Sequence, residues 1–208
     1  RIDAGGAPLY SAAYNGHLEV VRFLVESGAN KDQGTTDGTK PLFIAAQKGH
    51  FEVVGFLVES GANKDQGKAD DGVTPLFIAA QNGHFEVVRF LVESGASKDT
   101  GRTHDGGTPF HAAAHNGHLQ VVRFLVESGA NKDQGTTDDG TTPVSIAAQN
   151  GHLEVVRFLV ASGTNKDQNR TNNELTPLCA ASENGHFVGF LVAIVSVFWF
   201  LFFNTVSC

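Results

Sequence analysis

A Gly-His dipeptide recurs at residues 16/17, 49/50, 83/84, 117/118, 151/152 and 185/186, at spacings of 33, 34, 34, 34 and 34 residues. A fixed period of that length restricts the chain to a repeat architecture, in which one small motif stacks on copies of itself. One phrase fills each period with small departures. Asp-Gly-x-Thr-Pro-Leu-Phe-x-Ala-Ala-Gln-Asn leads into Gly-His, and Leu or Phe followed by Glu-Val-Val-Arg-Phe-Leu-Val-Glu-Ser-Gly-Ala-Asn-Lys-Asp-Gln comes after it. Six copies cover residues 1–193, the last of them degenerate.

Each part of the phrase has a physical reading. Thr74-Pro75, Thr108-Pro109, Thr142-Pro143 and Thr176-Pro177 suit a helix start: the Thr hydroxyl accepts from an orphan backbone N–H, and Pro at the first helical position gives up an N–H that has no partner anyway. Ala79 and Ala80 let a neighbouring helix come close, and Gly83 suits a left-handed position that ends the helix after about two turns. A second helix follows at once. In Leu18–Glu26 the charges Glu19, Arg22 and Glu26 fall at i, i+3 and i+7 as one narrow stripe, and nearly all the rest is apolar. Stripe pairs add a few tenths of a kcal/mol each, whereas burying one Val, Leu or Phe is worth roughly 1.5–3 kcal/mol. Packing therefore dominates, and one helix pair has too little interior of its own, so adjacent copies must cover it. The polar, Gly-rich stretch from Asn30 onward reads as a finger and turn, with Gly72 and Gly140 at positive-φ positions. The first spacing, 33 instead of 34, places one residue fewer in the finger before Lys40.

The combination of Gly140-Thr141-Thr142-Pro143, Ala147-Ala148, Asn150-Gly151-His152-Leu153-Glu154-Val155-Val156 and Leu159-Val160-Ala161-Ser162-Gly163 resembles the ankyrin repeat. The resemblance implies an all-α solenoid of six helix-turn-helix repeats with β-turn or hairpin fingers, plus a hydrophobic C-terminal helix. It also implies a concave face, lined by fingers and first helices, that takes protein partners. The family's Thr-Pro-Leu-His motif is kept in type at Thr108-Pro109-Phe110-His111. Tyr10, Phe43, Phe77, Ser145 and Cys179 occupy its His position elsewhere, so the side-chain hydrogen bond tied to that His is in doubt there, and aromatic packing substitutes in the first three.

Composition removes several function classes. A formal charge of −7 and the absence of a Lys/Arg cluster argue against nucleic-acid binding. Cys179 and Cys208 alone build no disulfide framework, which suggests a reducing compartment. With no Met and Arg1 first, the chain reads as a fragment, a processed form or an incomplete reading, and any N-terminal targeting signal lies out of view. Six of nine histidines belong to the Gly-His turns and read as structural. His111 and His115 stand i, i+4 on one helix, a spacing that can hold a metal; lacking a third ligand nearby, they read as a polar repeat interface plus one surface histidine. Asn169-Arg170-Thr171 is a formal glycosylation sequon, read as chance. No phosphate loop, dinucleotide fingerprint or catalytic constellation is found, so the expectation is a non-enzyme with no cofactor and no metal.

Positions that vary while the scaffold repeats mark the candidate partner surface. On the first helices these are Tyr14, Gln47, Lys48, Gln81, His115 and Gln149; in the fingers they are Lys68, Arg102, His104 and Arg170. The last copy loses its polar stripe, and "GHFVGFLVAIVSVFWFLFF", residues 185–203, carries no charged side chain. A helix over Phe187–Phe203 would rise about 26 Å against a ~30 Å hydrocarbon core. Three readings stand: a membrane helix over residues 187–206 overlapping the array's end, a fragment end in which residues 194–208 are unrelated to the array, or a buried helix packed on the fifth copy or on a partner.

The function expected is a non-catalytic scaffold or adaptor that binds a protein on the concave face, cytoplasmic or membrane-tethered with the array toward the cytosol. The alternative is a regulatory or structural subunit of a membrane complex, held by its C-terminal helix. Ala7-Pro8 and Lys40-Pro41 lack the Thr cap of the later copies, at a local cost of about 1 kcal/mol each. Amide hydrogen exchange should accordingly be faster in the first two copies than in the third and fourth, and equal protection would refute the capping argument.

Overall fold

The computed structural model describes residues 8–165, with ten helices and no strand among the described residues. They form five antiparallel helix pairs: α1 (Pro8–Tyr14) with α2 (Leu18–Glu26), α3 (Pro41–Lys48) with α4 (Phe51–Glu59), α5 (Pro75–Gln81) with α6 (Phe85–Glu93), α7 (Pro109–His115) with α8 (Leu119–Glu127), and α9 (Pro143–Gln149) with α10 (Leu153–Ala161). The sixth copy and the apolar segment 187–206 lie outside the described residues. Among the described residues no helix is long and apolar enough to cross a membrane.

The chain divides into two compact units, Arg1–Pro109 and Phe110–Cys208. In the first, α1 packs on α3 and α3 on α5, while α2 packs on α4 and α4 on α6. First helices therefore form one row and second helices another, in chain order. In the second unit α10 packs against both α9 and α8. This is the all-α repeat packing that the apolar pattern predicts. Each second helix beyond the first buries two Val and one Leu, as in Val53, Val54 and Leu57 of α4. The paired alanines of the first helices, such as Ala45-Ala46 and Ala147-Ala148, are buried, with no bulk to hold neighbouring helices apart. The charged stripe stays outside, where Arg89 meets Glu86 at 2.6 Å and Arg157 meets Glu154 at 3.3 Å.

Helix starts follow the expected chemistry. Thr74 Oγ1 accepts from the Phe77 N–H at 3.2 Å, and Thr142 Oγ1 from the Ser145 N–H at 3.3 Å. Lys40 makes no side-chain cap bond. The second helices are different: their cap residues, among them His50, His84 and His152, give no side-chain cap bond either. Their rings turn instead to the preceding repeat. His50 Nε2 donates to the Tyr14 carbonyl at 2.9 Å, His84 Nε2 to the Gln47 carbonyl at 2.9 Å, and His152 Nε2 to the His115 carbonyl at 2.8 Å. Since a carbonyl can only accept, each bond puts a proton on Nε2.

The fingers are hairpin-like tips closed by backbone hydrogen bonds across the turn. The Lys68, Arg102 and Thr136 N–H groups donate to the carbonyls of Val73, Gly107 and Thr141, each five residues on. In the second copy Thr35 donates to Thr39, four residues on. The residue missing from the first period is therefore missing from the fingertip. Asp residues at the finger base link successive copies: Asp32 Oδ1 accepts from the Asn63 N–H at 3.0 Å, Asp65 Oδ1 from Ser97 at 2.8 Å, and Asp133 Oδ1 from Asn165 at 2.9 Å.

Two glycines with opposite roles give a test. Gly49 has φ +76°, and a Cβ there would stand 2.6 Å from His84 Nδ1, so Gly49→Ala should lower unfolding stability by about 1–2 kcal/mol or more. Gly55 lies inside α4, and its Cβ would meet only Phe90 at 4.0 Å. Gly55→Ala should raise stability by about 0.5–1 kcal/mol through helix propensity alone. Urea unfolding of the two variants should move the midpoint in opposite directions.

Candidate functional site

The last turns of α1, α3 and α5 carry Tyr14, Gln47 with Lys48, and Gln81 at matching positions one repeat apart. The structure brings two of these together. Tyr14 is exposed, and the Lys48 ammonium lies over its ring, 4.5 Å from the centroid. Such a contact is worth about 0.5–1 kcal/mol at an exposed site, enough to bias a flexible lysine toward the ring. Tyr10, one turn earlier on α1, sets its ring 6.5 Å from that of Tyr14.

The fingers close in on the same place. Burial raises the Tyr10 phenol above its usual range, the Asp37 carboxylate and Tyr14 reinforce this, and Lys48 and Lys68 oppose it. Asp37 belongs to the second finger and Lys68 to the third, and the two are joined by an ion pair at 3.8 Å. Asp37 is held down to about 2 by hydrogen bonds from Thr35 and Thr39, which keep its carboxylate charged and oriented. Lys68 pairs with Asp70 at 3.2 Å and with Asp37 at 3.8 Å, and its side chain is largely covered. The hydrogen bond to Asp70 is the main cause that raises its pKa. Lys68 is therefore built into the fingers, whereas Lys48 is exposed and, among the described residues, forms no ion pair.

Other candidate residues are placed differently. Gln47 is half-buried, and its carbonyl serves His84. Gln81 is exposed at the end of α5. Arg102 is folded back on its own fingertip: Nε donates to Asp105 Oδ1 at 3.1 Å, Nη2 to Asp105 Oδ2, and the guanidinium covers the Phe77 ring at 5.2 Å. His104 is exposed beside it, 3.5 Å from Asp105 Oδ2. In the second unit His115 is exposed and Gln149 half-buried at the ends of α7 and α9. Arg170 lies outside the described residues.

His111 and His115 separate as the polar-interface reading expects. His111 is buried with Nε2 donating to the Thr141 carbonyl at 3.0 Å, which supports the first helix against the next finger. Ser145, at the same register, meets Thr142 Oγ1 at 2.9 Å, while Phe43 and Phe77 fill the position with buried rings. Among the described residues no three His, Cys, Asp or Glu side chains gather as a metal site. Sequence reasoning missed Tyr10, whose ring lies 6.5 Å from that of Tyr14 one turn away on α1. It also missed the linking role of Asp32, Asp65 and Asp133. A signal for these was present, because an Asp follows a Lys at that place in Asp32, Asp65, Asp99, Asp133 and Asp167.

Comparison with known proteins agrees with this geometry. No curated protein matches the chain. A family model described as ankyrin repeats (three copies) matches residues 2–68, 62–136 and 131–196. Five helix pairs of one register, joined by fingers and covered by a family match over most of its length, establish that this chain belongs to the ankyrin-repeat family.

Proposed function

We propose that the chain is a non-catalytic scaffold or adaptor whose partner contact in the first unit centres on Tyr14 and Lys48. Ankyrin repeats are protein–protein interaction modules. The observation that carries the reading is the exposed Tyr14 ring with the Lys48 ammonium over it. Aromatic and cationic anchors of this kind carry most of the energy in protein interfaces. Around them the first-helix ends offer Gln47 and Gln81, uncharged and able to bond backbone amides of a partner. Lys48 is the charged residue at this edge of α1, α3 and α5, so a partner segment with a carboxylate beside an aliphatic or aromatic side chain fits best. Arg102 and Lys68 hold the fingers in shape rather than meet the partner directly.

Partner recovery by the full chain, followed by titration of the recovered protein, tests this. Tyr14→Ala and Lys48→Glu should each weaken affinity about tenfold or more while the far-ultraviolet circular dichroism stays the same. Unchanged affinity in both variants would place recognition elsewhere.

A second reading, anchorage of residues 187–206 in a membrane with the array on the cytosolic side, rests on the uncharged run from Phe187 to Phe203. It would make the protein a tethered scaffold or a subunit of a membrane complex. The full chain should then require detergent to stay monodisperse, whereas a chain ending at Gly185 should not; equal behaviour of the two would remove this reading.

A further inference from the structure

The described second helices share one pattern, and α4 departs from it at one residue. The fifth position holds Arg22, Arg89, Arg123 and Arg157 on α2, α6, α8 and α10, and Gly55 on α4. Where it is present, that arginine makes one of two contacts. It lies over the phenylalanine of the following repeat, as Arg22 does over Phe56 at 4.7 Å and Arg123 over Phe158 at 4.6 Å. Otherwise it pairs with the glutamate three residues before it, as Arg89 does with Glu86 at 2.6 Å and Arg157 with Glu154 at 3.3 Å.

Gly55 can make neither contact, and its surroundings differ accordingly. Glu52 and Glu59 flank it at i−3 and i+4, on the same face of the helix; both are exposed and, among the described residues, form no ion pair. A Cβ on Gly55 would meet only the Phe90 ring, at 4.0 Å, so the space above the backbone is open. Phe51, one turn earlier, sets its ring against Phe90 at 5.9 Å and is itself 38% exposed, whereas its counterparts Leu18, Phe85, Leu119 and Leu153 are half-buried. One face of α4 thus combines an exposed ring, open backbone and two unpaired carboxylates. It belongs to the row of second helices, whereas Tyr14 and Lys48 belong to the row of first helices.

We propose that this face of α4 is a docking site for an arginine on an exposed segment of a partner protein, with an aliphatic side chain beside it. The guanidinium takes the place over Gly55 that the chain's own arginines take in the other copies, paired with Glu52 and Glu59, and the aliphatic neighbour covers the Phe51 ring. Charge selects the partner: α2, α4 and α6 together carry six glutamates and two arginines, and α4 carries no cation, so an acidic segment is repelled. An apolar segment without a cation would cover Phe51 but would take the two carboxylates out of water with nothing to pair them. Arginine fits better than lysine, because its planar head stacks on a ring while its N–H groups donate to carboxylates.

The test titrates the capped peptide acetyl-Gly-Leu-Arg-Leu-Gly-amide into the isotope-labelled full chain, beside the same peptide with citrulline, a neutral isostere of arginine. The arginine peptide should shift the amide resonances of α4 and of Phe90, and the citrulline peptide should bind at least about tenfold more weakly. Gly55→Arg, which restores the residue of the other copies, should abolish the shifts. Glu52→Gln combined with Glu59→Gln should weaken binding several-fold, and Tyr14→Ala should leave it unchanged. Shifts that are absent up to about 5 mM peptide, that fall elsewhere on the chain, that depend on Tyr14, or that persist with citrulline, with Gly55→Arg or with the paired glutamine changes overturn the proposal. So does a dimer of the chain that Gly55→Arg dissociates, which would give this face to a second copy.

Discussion

The contact on which the repeat packing depends is the seating of one repeat's histidine ring over the glycine of the repeat before it. Gly16 and Gly49 take the left-handed backbone that ends each first helix, and the hydrogen in place of a side chain leaves a hollow that His50 and His84 occupy. The same histidines place Nε2–H on the carbonyls of Tyr14 and Gln47, among the C-terminal carbonyls a helix cannot satisfy internally. One dipeptide thus ends its own first helix and fastens it to the next copy. Exchanging either residue alone would lose part of this contact, which accounts for their joint recurrence in every copy.

Around that contact the remaining forces divide by strength. Buried Val, Leu and Ala side chains supply the bulk of the cohesion, at roughly 1.5–3 kcal/mol for each large residue. The surface stripe of Glu and Arg is worth little by comparison, as exposed pairs are. Its arginines have a second use, since Arg22 and Arg123 cover phenylalanines of the following repeat. Where Gly55 replaces that arginine, Phe51 turns its ring edge-on to Phe90 at 5.9 Å instead. The gap is thus filled by a different contact of similar reach.

The proposed partner surface lies where the repeats differ, because identical copies leave no feature for a partner to select. Tyr10, Tyr14 and Lys48 replace residues that are otherwise Phe, Gln and Asn in the consensus. Asp37 and Lys68 pair with each other from two successive fingers. Variation pointed to Tyr14 and Lys48 from the chain alone, yet it pointed equally to Arg102, which the fold holds against Asp105 and Phe77. Variation marks freedom from the repeat. Whether that freedom faces solvent or is absorbed by a neighbour is a matter of geometry.

The amino-acid order by itself determined the period, the helix pairs, the Thr caps at Thr74 and Thr142, the turn glycines and the shortened second finger. These depend on backbone preferences and on apolar spacing within a few residues, and both are written locally. The tertiary structure alone decided that His50 reaches a carbonyl 36 residues away and Asp65 an amide 32 residues away. It also decided that Lys48 lies over Tyr14 and that Phe23 stays uncovered while Phe56 does not. Those outcomes depend on the rotation and rise from one helix pair to the next, which are set by how buried surfaces interlock and which no single repeat encodes.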